Sequence, residues 1–295
     1  MGTSGSSSGS GSETPLVPSW LDEPGLDPLP GEDGWQPPSD GSDRDGREDA
    51  QQNGPESGTK SPQPVPAEKE RFRSARNNFS RFARSGGSDG RALRRAVRDY
   101  VRTGTGGTAN AVRRMAPSRA AAGRALSIFR ALQRDGIQET LRRINLQNLS
   151  GHSVQEIFVG LTEVVCRDGG SIDEAIARDA WLETIAELDQ FGIDDPDALT
   201  DDQVLELFLS FVAHSIEARL YQEIGVNGFK LSDDLDDIES FDGQFRDYIG
   251  RAVRDSFSGD MSTLSNMSDY DIRNVVDSTY LEAWGLLQLL GDREG

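Results

Sequence analysis

The sequence has almost none of the residues on which metal sites and nucleophilic active sites are usually built. Its 295 residues include one cysteine, Cys166, and two histidines, His152 and His214. One cysteine excludes an intramolecular disulfide, and the histidines and cysteine have no zinc-ligand spacing. No pattern indicates a nucleophile beside a base and an orienting group. We therefore expect no catalytic residue, no metal, no cofactor and no enzyme activity.

Long apolar runs and lysine are also scarce. The most apolar stretch, LELFLSFVAH, is too short to span a bilayer, and no early apolar run indicates a secretory signal. These absences predict a cytoplasmic protein without a membrane segment. Arginine outnumbers lysine 28 to 3, which is typical of a GC-rich genome, so arginine alone does not indicate phosphate recognition.

Charge is distributed in three blocks along the chain. Their net charges are −10 over residues 1–68, +14 over 69–143 and −23 over 144–295, the last from 9 basic and 32 acidic residues. Such asymmetry indicates separate roles, and the Gly, Ser, Pro and acidic composition of the first block predicts disorder. We expect three parts: a disordered N-terminal tail with a short docking motif (1–66), a basic arginine-rich helical segment (67–147) and an acidic helical domain (148–295).

Apolar residues recur with a helical period from Glu68 onward, and no run alternates with a period of two over the length of a strand. The predicted fold class is all-α, a helical bundle preceded by the tail. Capping boxes, in which a hydroxyl residue is followed three positions later by an acid or amide, begin at Ser153, Ser171, Thr200 and Ser268. The helix after Ser171 is expected to bury Ile172, Ile176, Leu182, Ile185 and Leu188. The helix after Thr200 is apolar over the widest arc, so we expect it to be central, with His214 as a hydrogen-bonded core residue.

Five arginines share one face of the helix predicted in GRALRRAVRDYVRTG. Their spacing keeps them within about 100° of arc; they are Arg91, Arg94, Arg95, Arg98 and Arg102. We call them the arginine stripe. A basic helix face can follow nucleic-acid phosphates, or it can pair with acidic protein surface. The net charge of −23 in the same chain favours pairing within the chain or with a partner protein, and nucleic-acid binding is expected to be weak.

The chain opens with the leader MGTSGSSSGSGSETPLVPSWLD. Twelve residues rich in Gly and Ser should be flexible, and removal of Met1 would expose Gly2. A compact patch follows, with no core of its own to join and therefore typical of a partner anchor; it comprises Pro15, Leu16, Val17, Pro18, Trp20 and Leu21. The alternatives are a cloning remnant and a myristoylation signal at Gly2, although the leader lacks the basic residues that stable anchoring needs.

This leader resembles the start of the QatB family, which belongs to a bacterial four-gene anti-phage system. Its members begin with Met-Gly-Thr-Ser, a Gly/Ser run and a Pro-Leu-Val-Pro patch ending in Trp. The stretch GLTEVVCRDGGSIDEAIARDAWLETI (160–185) resembles the helical core of the same family. The resemblance implies a non-enzymatic subunit whose neighbours are an ATPase, a QueC-like enzyme and a TatD-like nuclease. The direct partner that it implies is the QueC-like enzyme, QatC.

The resemblance also implies a role for the leader. Enzymes similar to QueC adenylate a deazaguanine carboxylate and let an amine attack it. An α-amine, with a pKa of about 7.7–8, is neutral at pH 7 far more often than a lysine, and the small Thr3 and Ser4 would let Gly2 enter a narrow pocket. We expect Gly2 to be presented to QatC, either modified or only bound. The alternatives are an adaptor that presents DNA to the nuclease through the arginine stripe, and an unrecognised enzyme.

Overall fold

The computed structural model describes residues 68–166, 170–225, 235–261 and 263–293, without the side chains of residues 68 and 69. Contacts between Cα atoms assign all of these residues to one unit, Pro62–Gly295. The predicted tail, residues 1–66, lies outside the described residues. Regular structure in the described ranges is helical, without a strand, which confirms the all-α prediction.

The α-helices of the described ranges are numbered in chain order: α1 (Glu68–Arg71), α2 (Arg73–Arg84), α3 (Gly90–Asp99), α4 (Thr108–Arg114), α5 (Ala116–Asp135), α6 (Ile137–Arg143), α7 (Val154–Gly160), α8 (Thr162–Val165), α9 (Ile172–Ala186), α10 (Asp201–Leu220), α11 (Leu235–Ser256) and α12 (Asp269–Asp292). Single π-helical turns, Tyr100–Gly104 and Tyr221–Gly225, continue α3 and α10. Short 3-10 turns occupy Gln147–Leu149, Pro196–Ala198 and Leu264–Asn266. Within the described ranges, none of the helices combines the length and the apolar character needed to cross a bilayer.

The helix that begins after Thr200, α10, is the centre of the bundle as predicted. It packs against α5, α9 and α11. Its buried residues lie on all sides, among them Phe208, Phe211 and Val212. His214 is also buried, as expected, and contacts two glutamates. A helix with such a wide apolar arc is stable only when other helices cover it.

All four predicted capping boxes are present, at the N-termini of α7, α9, α10 and α12. At α9, the Ser171 hydroxyl accepts from the Glu174 backbone N–H at 3.3 Å. The Glu174 carboxylate in turn accepts from the Ser171 backbone N–H at 3.4 Å. Each box satisfies two backbone donors that have no partner inside the helix. These signals are local, which is why the sequence was sufficient to find them.

Removing one cap should have a modest, measurable effect. Ser171→Ala is expected to lower the free energy of unfolding by about 1 kcal/mol, because the Glu174 N–H loses its acceptor. Urea unfolding followed by far-UV circular dichroism measures the change. Ser278→Ala, at an exposed position inside α12, is the matched control and should change stability little. Equal losses in both variants would contradict the capping role.

The apolar face predicted for α9 is partly wrong. Ile172 is 60% exposed and Leu182 is 42% exposed, whereas Trp181 is 1% exposed. Helix α9 is turned so that the Trp181 ring stacks on Phe158, with centroids 6.0 Å apart and an angle of 5° between the planes. The Trp181 Nε1–H also donates to the Phe158 carbonyl at 3.3 Å. The larger aromatic surface occupies the core position because its burial removes more apolar area from water.

Helices from the basic segment and from the acidic domain bury their apolar faces in one shared core. Helix α3 packs along α12, and α5 packs against α9, α10 and α12. Tyr100 and Trp284 illustrate this packing: their rings stack with centroids 5.4 Å apart. Apolar contacts therefore join the basic segment to the acidic domain.

Candidate functional site

The leader residues predicted to enter or anchor on a partner lie outside the described residues. They are Gly2, Thr3, Ser4, Pro15, Leu16, Val17, Pro18, Trp20 and Leu21. The described chain begins at Glu68, the first residue of α1. The structure therefore describes the base to which the leader is attached, and the leader's role remains a prediction.

This base is held firmly by α2. Phe72, Phe79 and Phe82 of this region are buried in the core. The Phe79 ring meets Phe245 of α11 edge-on, with centroids 5.3 Å apart. Arg76 donates through Nε and Nη2 to the Glu223 carbonyl, at 3.2 and 3.0 Å. Aromatic packing and these hydrogen bonds hold α2 against the rest of the helical unit.

An ionic cluster with a buried centre, Arg219, lies beside this base, around Glu223 in the second π-helical turn. Glu223 Oε1 accepts from Arg114 Nε and Nη2, at 3.1 and 3.0 Å. It also accepts from Arg219 Nη1 at 3.1 Å. Arg219 Nη1 lies 2.7 Å from Asp173 Oδ1, and Nη2 donates to the Arg114 carbonyl at 2.6 Å. We call these four residues, Arg114, Asp173, Arg219 and Glu223, the Glu223 cluster.

The Glu223 cluster was missed by sequence reasoning. The only local signal is the spacing of four residues between Arg219 and Glu223, since the other members come from distant helices. The Arg219 side chain is 4% exposed, so its charge depends on these partners. Burial, with the Glu223 carboxylate nearby, raises the pKa of Tyr100 far above its usual value. The cluster joins α4, α9 and the end of α10 beside the base of the tail.

The arginine stripe lies along α3 and the turn after it, partly against α12. Arg91 and Arg102 are exposed, while the other three members are partly buried. Arg98 donates through Nε and Nη2 to Asp99 Oδ1, at 2.9 and 2.8 Å. Arg102 Nη1 lies 3.7 Å from Asp292 Oδ1 of α12. The stripe thus includes at least two arginines that contact carboxylates of the same chain.

Close packing of α3 on α12 explains why the inner side of the stripe is covered. A Cβ atom at Gly291 would collide with the Arg98 Cβ and with the Arg94 carbonyl oxygen. Only glycine permits the two helices to approach so closely. Arg94 and Arg98 therefore belong to a helix interface on one side.

Other arginines of the basic block pair with acids of the acidic block. Arg119 contacts Asp277, and Arg130 Nη2 lies 2.6 Å from Asp269 Oδ1. Arg130 Nη1 also donates to the Met267 carbonyl at 2.6 Å. Together with Arg114 and Glu223, these contacts join residues more than a hundred positions apart. The opposite net charges of the two blocks thus include specific ion pairs between side chains on different helices.

The two side chains most suited to chemistry, His214 and Cys166, are buried in structural environments. His214 Nε2 lies 3.2 Å from Glu187 Oε1, and Nδ1 lies 3.6 Å from Glu217 Oε2. Burial disfavours the imidazolium, but hydrogen bonds to both glutamates outweigh it and raise the pKa of His214 to about 9. Burial raises the pKa of Cys166 to about 11, so its thiol is a poor nucleophile at neutral pH. Among the described residues, no group of His, Cys, Asp and Glu could hold a metal ion.

Comparison with known families identifies the helical unit. The model of the family described as "Qat anti-phage system associated protein QatB" matches residues 106–287, more than half of the chain. The chain belongs to the QatB family. This confirms the resemblance seen in the sequence, and the stretch 160–185 lies inside the match. Comparison with curated proteins and with solved structures gives no match.

Membership of the QatB family assigns the chain to the Qat anti-phage system. Its partners therefore belong to that system. The match runs from the turn before α4 into α12, so it covers the Glu223 cluster. Residues 1–105 lie outside it, and they include the leader and the whole arginine stripe. The family thus identifies the helical unit, and the leader has to be interpreted from its own residues.

Proposed function

We propose that this QatB-family chain is a non-enzymatic, cytoplasmic subunit that binds the QueC-like enzyme of its system, QatC, and presents Gly2 to that enzyme's active site. The observation that carries the proposal is the leader, in which small residues and a Gly/Ser run precede the patch around Trp20. The ATPase and the TatD-like nuclease are the other proposed partners. No cofactor is needed on this chain, because the chemistry takes place in the partner.

The leader separates the reacting end from its anchor by a suitable distance. Trp20 follows Gly2 by eighteen positions, and a Gly/Ser-rich coil of that length spans about 21–25 Å. The Trp20 patch can therefore dock on the surface of the enzyme while Gly2 reaches a buried pocket. Tryptophan is well suited to the anchor, because one side chain buries a large area at low entropic cost.

The proposed reaction is an acyl transfer to the Gly2 α-amine. The neutral amine attacks an adenylated deazaguanine carboxylate, an amide C–N bond forms, and the C–O bond to AMP breaks. AMP leaves with the bonding electron pair, and the extra proton of the amine passes to solvent. A terminal glycine is suited to this step because its amine has a low pKa and no side chain hinders it.

The firmly held base at α2 supports a two-point complex. The described helices contribute one packed unit, and the leader contributes a second contact that is covalently joined to the first. Such linkage raises the effective concentration of Gly2 at the enzyme once the helical unit has bound. The aromatic packing of Phe79 and the Arg76 hydrogen bonds keep this attachment point in place.

The alternative function, an adaptor for nucleic acid, has less support. Arg98 and Arg102 contact protein carboxylates. Arg119 and Arg130 of the basic block pair with Asp277 and Asp269 of the acidic block. If phosphates were the natural partners, DNA affinity would fall steeply with salt. Sub-micromolar DNA binding at physiological salt that is lost on replacing Arg91, Arg94, Arg95 and Arg98 with Glu would favour the adaptor instead.

Mass spectrometry of the N-terminal peptide tests the proposal. After co-expression of the full chain with the QueC-like enzyme, we expect Gly2 to carry an acyl group; the chain expressed alone should be unmodified. Residues inserted before Gly2 should abolish both the modification and phage protection while the complex still forms. Unmodified Gly2, together with full protection by the extended variant, would disprove the proposal.

The anchor is tested separately with two tryptophans of the same tail. Trp20→Ala should weaken binding to the enzyme by about 2 kcal/mol or more if the ring is a buried hot spot. Trp35→Ala, outside the anchor patch, is the matched control and should leave the affinity unchanged. Isothermal titration calorimetry with the purified enzyme measures both. Equal affinity of the two variants would show that the Trp20 patch is not part of the interface with the enzyme.

A further inference from the structure

A cavity of about 310 Å³ lies between α10 and α11, beside the end of α9. Arg246, Arg251 and Arg254 form its α11 wall, and Ser210, Ala213 and His214 form its α10 wall. Its volume is at the small end of the range for ligand pockets. All of its lining residues lie between Glu187 and Arg254, so the inference does not rest on the proposed role of Gly2.

Positive charge is concentrated at this cavity against the trend of the surrounding chain. Residues 144–295 hold only nine lysines and arginines against 32 acids, yet three of the arginines line this one cavity. Two acids, Glu187 and Asp247, also line it. Like charges repel at short range, so gathering three guanidinium groups around one space favours an anionic occupant.

A glycine of α11 leaves space in the cavity between two of its arginines. Arg246, Gly250 and Arg254 follow one another at intervals of four residues, so they share one face of the helix. Gly250 leaves a notch between the two arginines, since a Cβ added there would come no closer than 3.9 Å to Arg254 Nη1. On the facing helix, Ser210 and Ala213 are small. A ligand group can therefore sit between guanidinium groups without displacing a large side chain.

The present ion pairs of these arginines are mostly long. Arg246 lies 3.6 Å from Glu183 and 3.8 Å from Glu217. Arg251 Nη2 lies 4.0 Å from Asp247, and Arg254 Nη2 lies 3.2 Å from Glu206. All but the last exceed ordinary hydrogen-bond length, and all three arginines are at least half exposed. Short bidentate contacts to a phosphate would be stronger than these solvated pairs.

The remaining lining indicates the organic part of the ligand. Leu209 and Ala213 provide an apolar strip, while the Glu187 and Asp247 carboxylates can only accept hydrogen bonds when ionised. Glu187 is held in position by the Ser210 hydroxyl, at 2.6 Å, and by His214. Hydroxyl groups are neutral donors that suit such acceptors. A sugar attached to the phosphate supplies them.

We propose that this cavity binds a phosphorylated sugar, free or within a nucleoside monophosphate, with the phosphate held by Arg246, Arg251 and Arg254. The sugar hydroxyls donate to Glu187 and Asp247. Neither acid alone would attract a phosphate, and the arginines alone would not distinguish a sugar phosphate from inorganic phosphate. The combination determines the ligand class.

Calorimetric titration of the full chain tests the site with four probes: AMP, ribose 5-phosphate, inorganic phosphate and adenosine. We expect at least one of the two sugar phosphates to bind with a Kd below about 1 mM, inorganic phosphate at least tenfold more weakly, and adenosine undetectably. The two sugar phosphates distinguish a free sugar from a nucleotide. Absence of binding by both, or equal binding of inorganic phosphate, would overturn the proposal.

Variants locate the binding in the cavity. Replacing Arg246, Arg251 and Arg254 with Gln should weaken binding at least tenfold, whereas Arg273→Gln, an exposed arginine of α12, should not change it. Gly250→Leu is a second variant that fills the notch without changing charge. It also raises helix propensity, so the protein should stay folded. Unchanged affinity in Gly250→Leu, with folding confirmed by circular dichroism, would contradict binding at this place.

Discussion

Replacing Arg219 with methionine should lower the free energy of unfolding by about 3 kcal/mol, the lower end of the range for breaking a buried ion pair. Methionine fills much of the same volume, so the loss comes from the charges left behind. Asp173 and Glu223 both lose a guanidinium partner, while Arg114 continues to donate to Glu223. Urea unfolding at neutral pH measures the change.

An exposed arginine provides the matched control for Arg219. Arg142 pairs with Glu139 within α6, and its side chain is 68% exposed. Arg142→Met should leave the urea midpoint nearly unchanged, since water screens such a pair. Adding Glu223→Gln to the Arg219→Met chain should recover part of the loss, because a neutral amide costs less to bury than a carboxylate with one partner fewer. A loss at Arg219 no larger than that at Arg142 would show that the Glu223 cluster does not stabilise the bundle.

The second large effect is a dependence of stability on pH that comes from His214. Its pKa is raised from an ordinary 6.5 to about 9 in the folded protein, so the folded state holds the proton more tightly than the unfolded state. The resulting stabilisation is fully present below about pH 6.5 and is lost as pH rises through 9. Its size is about 3 kcal/mol at most.

Two glutamates that face His214 explain the direction of this pKa shift. Glu187, just after α9, and Glu217 of α10 favour the imidazolium. Arg246 of α11 lines the same cavity as His214, and its Nε lies 3.8 Å from Glu217 Oε2. Chemical unfolding of the wild type and of His214→Gln at pH 6 to 10 measures the effect. The difference between the two profiles should shrink towards pH 10, and a constant difference would show that the proton on His214 does not stabilise the fold.

Local features of this protein could be read from the sequence because both partners of each interaction lie within one turn of helix. The capping box at Ser171 needs only Glu174, three residues later. The face of α9 was harder to predict, because Trp181 and Leu182 are neighbours and periodicity does not decide which of them turns inward. The stack on Phe158, from another helix, decided in favour of Trp181. The rotation of a helix is a tertiary property.

The arginine stripe and the cavity also combine features that the sequence shows with features that only the packing of helices determines. The sequence places five arginines on one face of α3, but the close approach of α12 at Gly291 determines which of them are covered. Likewise, the spacing of Arg246, Gly250 and Arg254 is visible along α11. The sequence does not show that small residues of α10 face this helix across a cavity. Periodicity describes one helix, whereas a binding surface needs two or more.

Residue order alone was enough to establish the helical class, the capped starts of four helices, the change of charge along the chain and the likeness to the QatB family. It is also the only source for the leader, whose proposed role depends on residue types and on chain length. The packed helices were needed to show that Arg114, Asp173 and Glu223 meet around the buried Arg219, and that three arginines share one cavity with Glu187. The two kinds of feature differ in range: caps and amphipathic periods act over a few residues, whereas buried ion pairs form between distant segments that only the packing of apolar faces brings together.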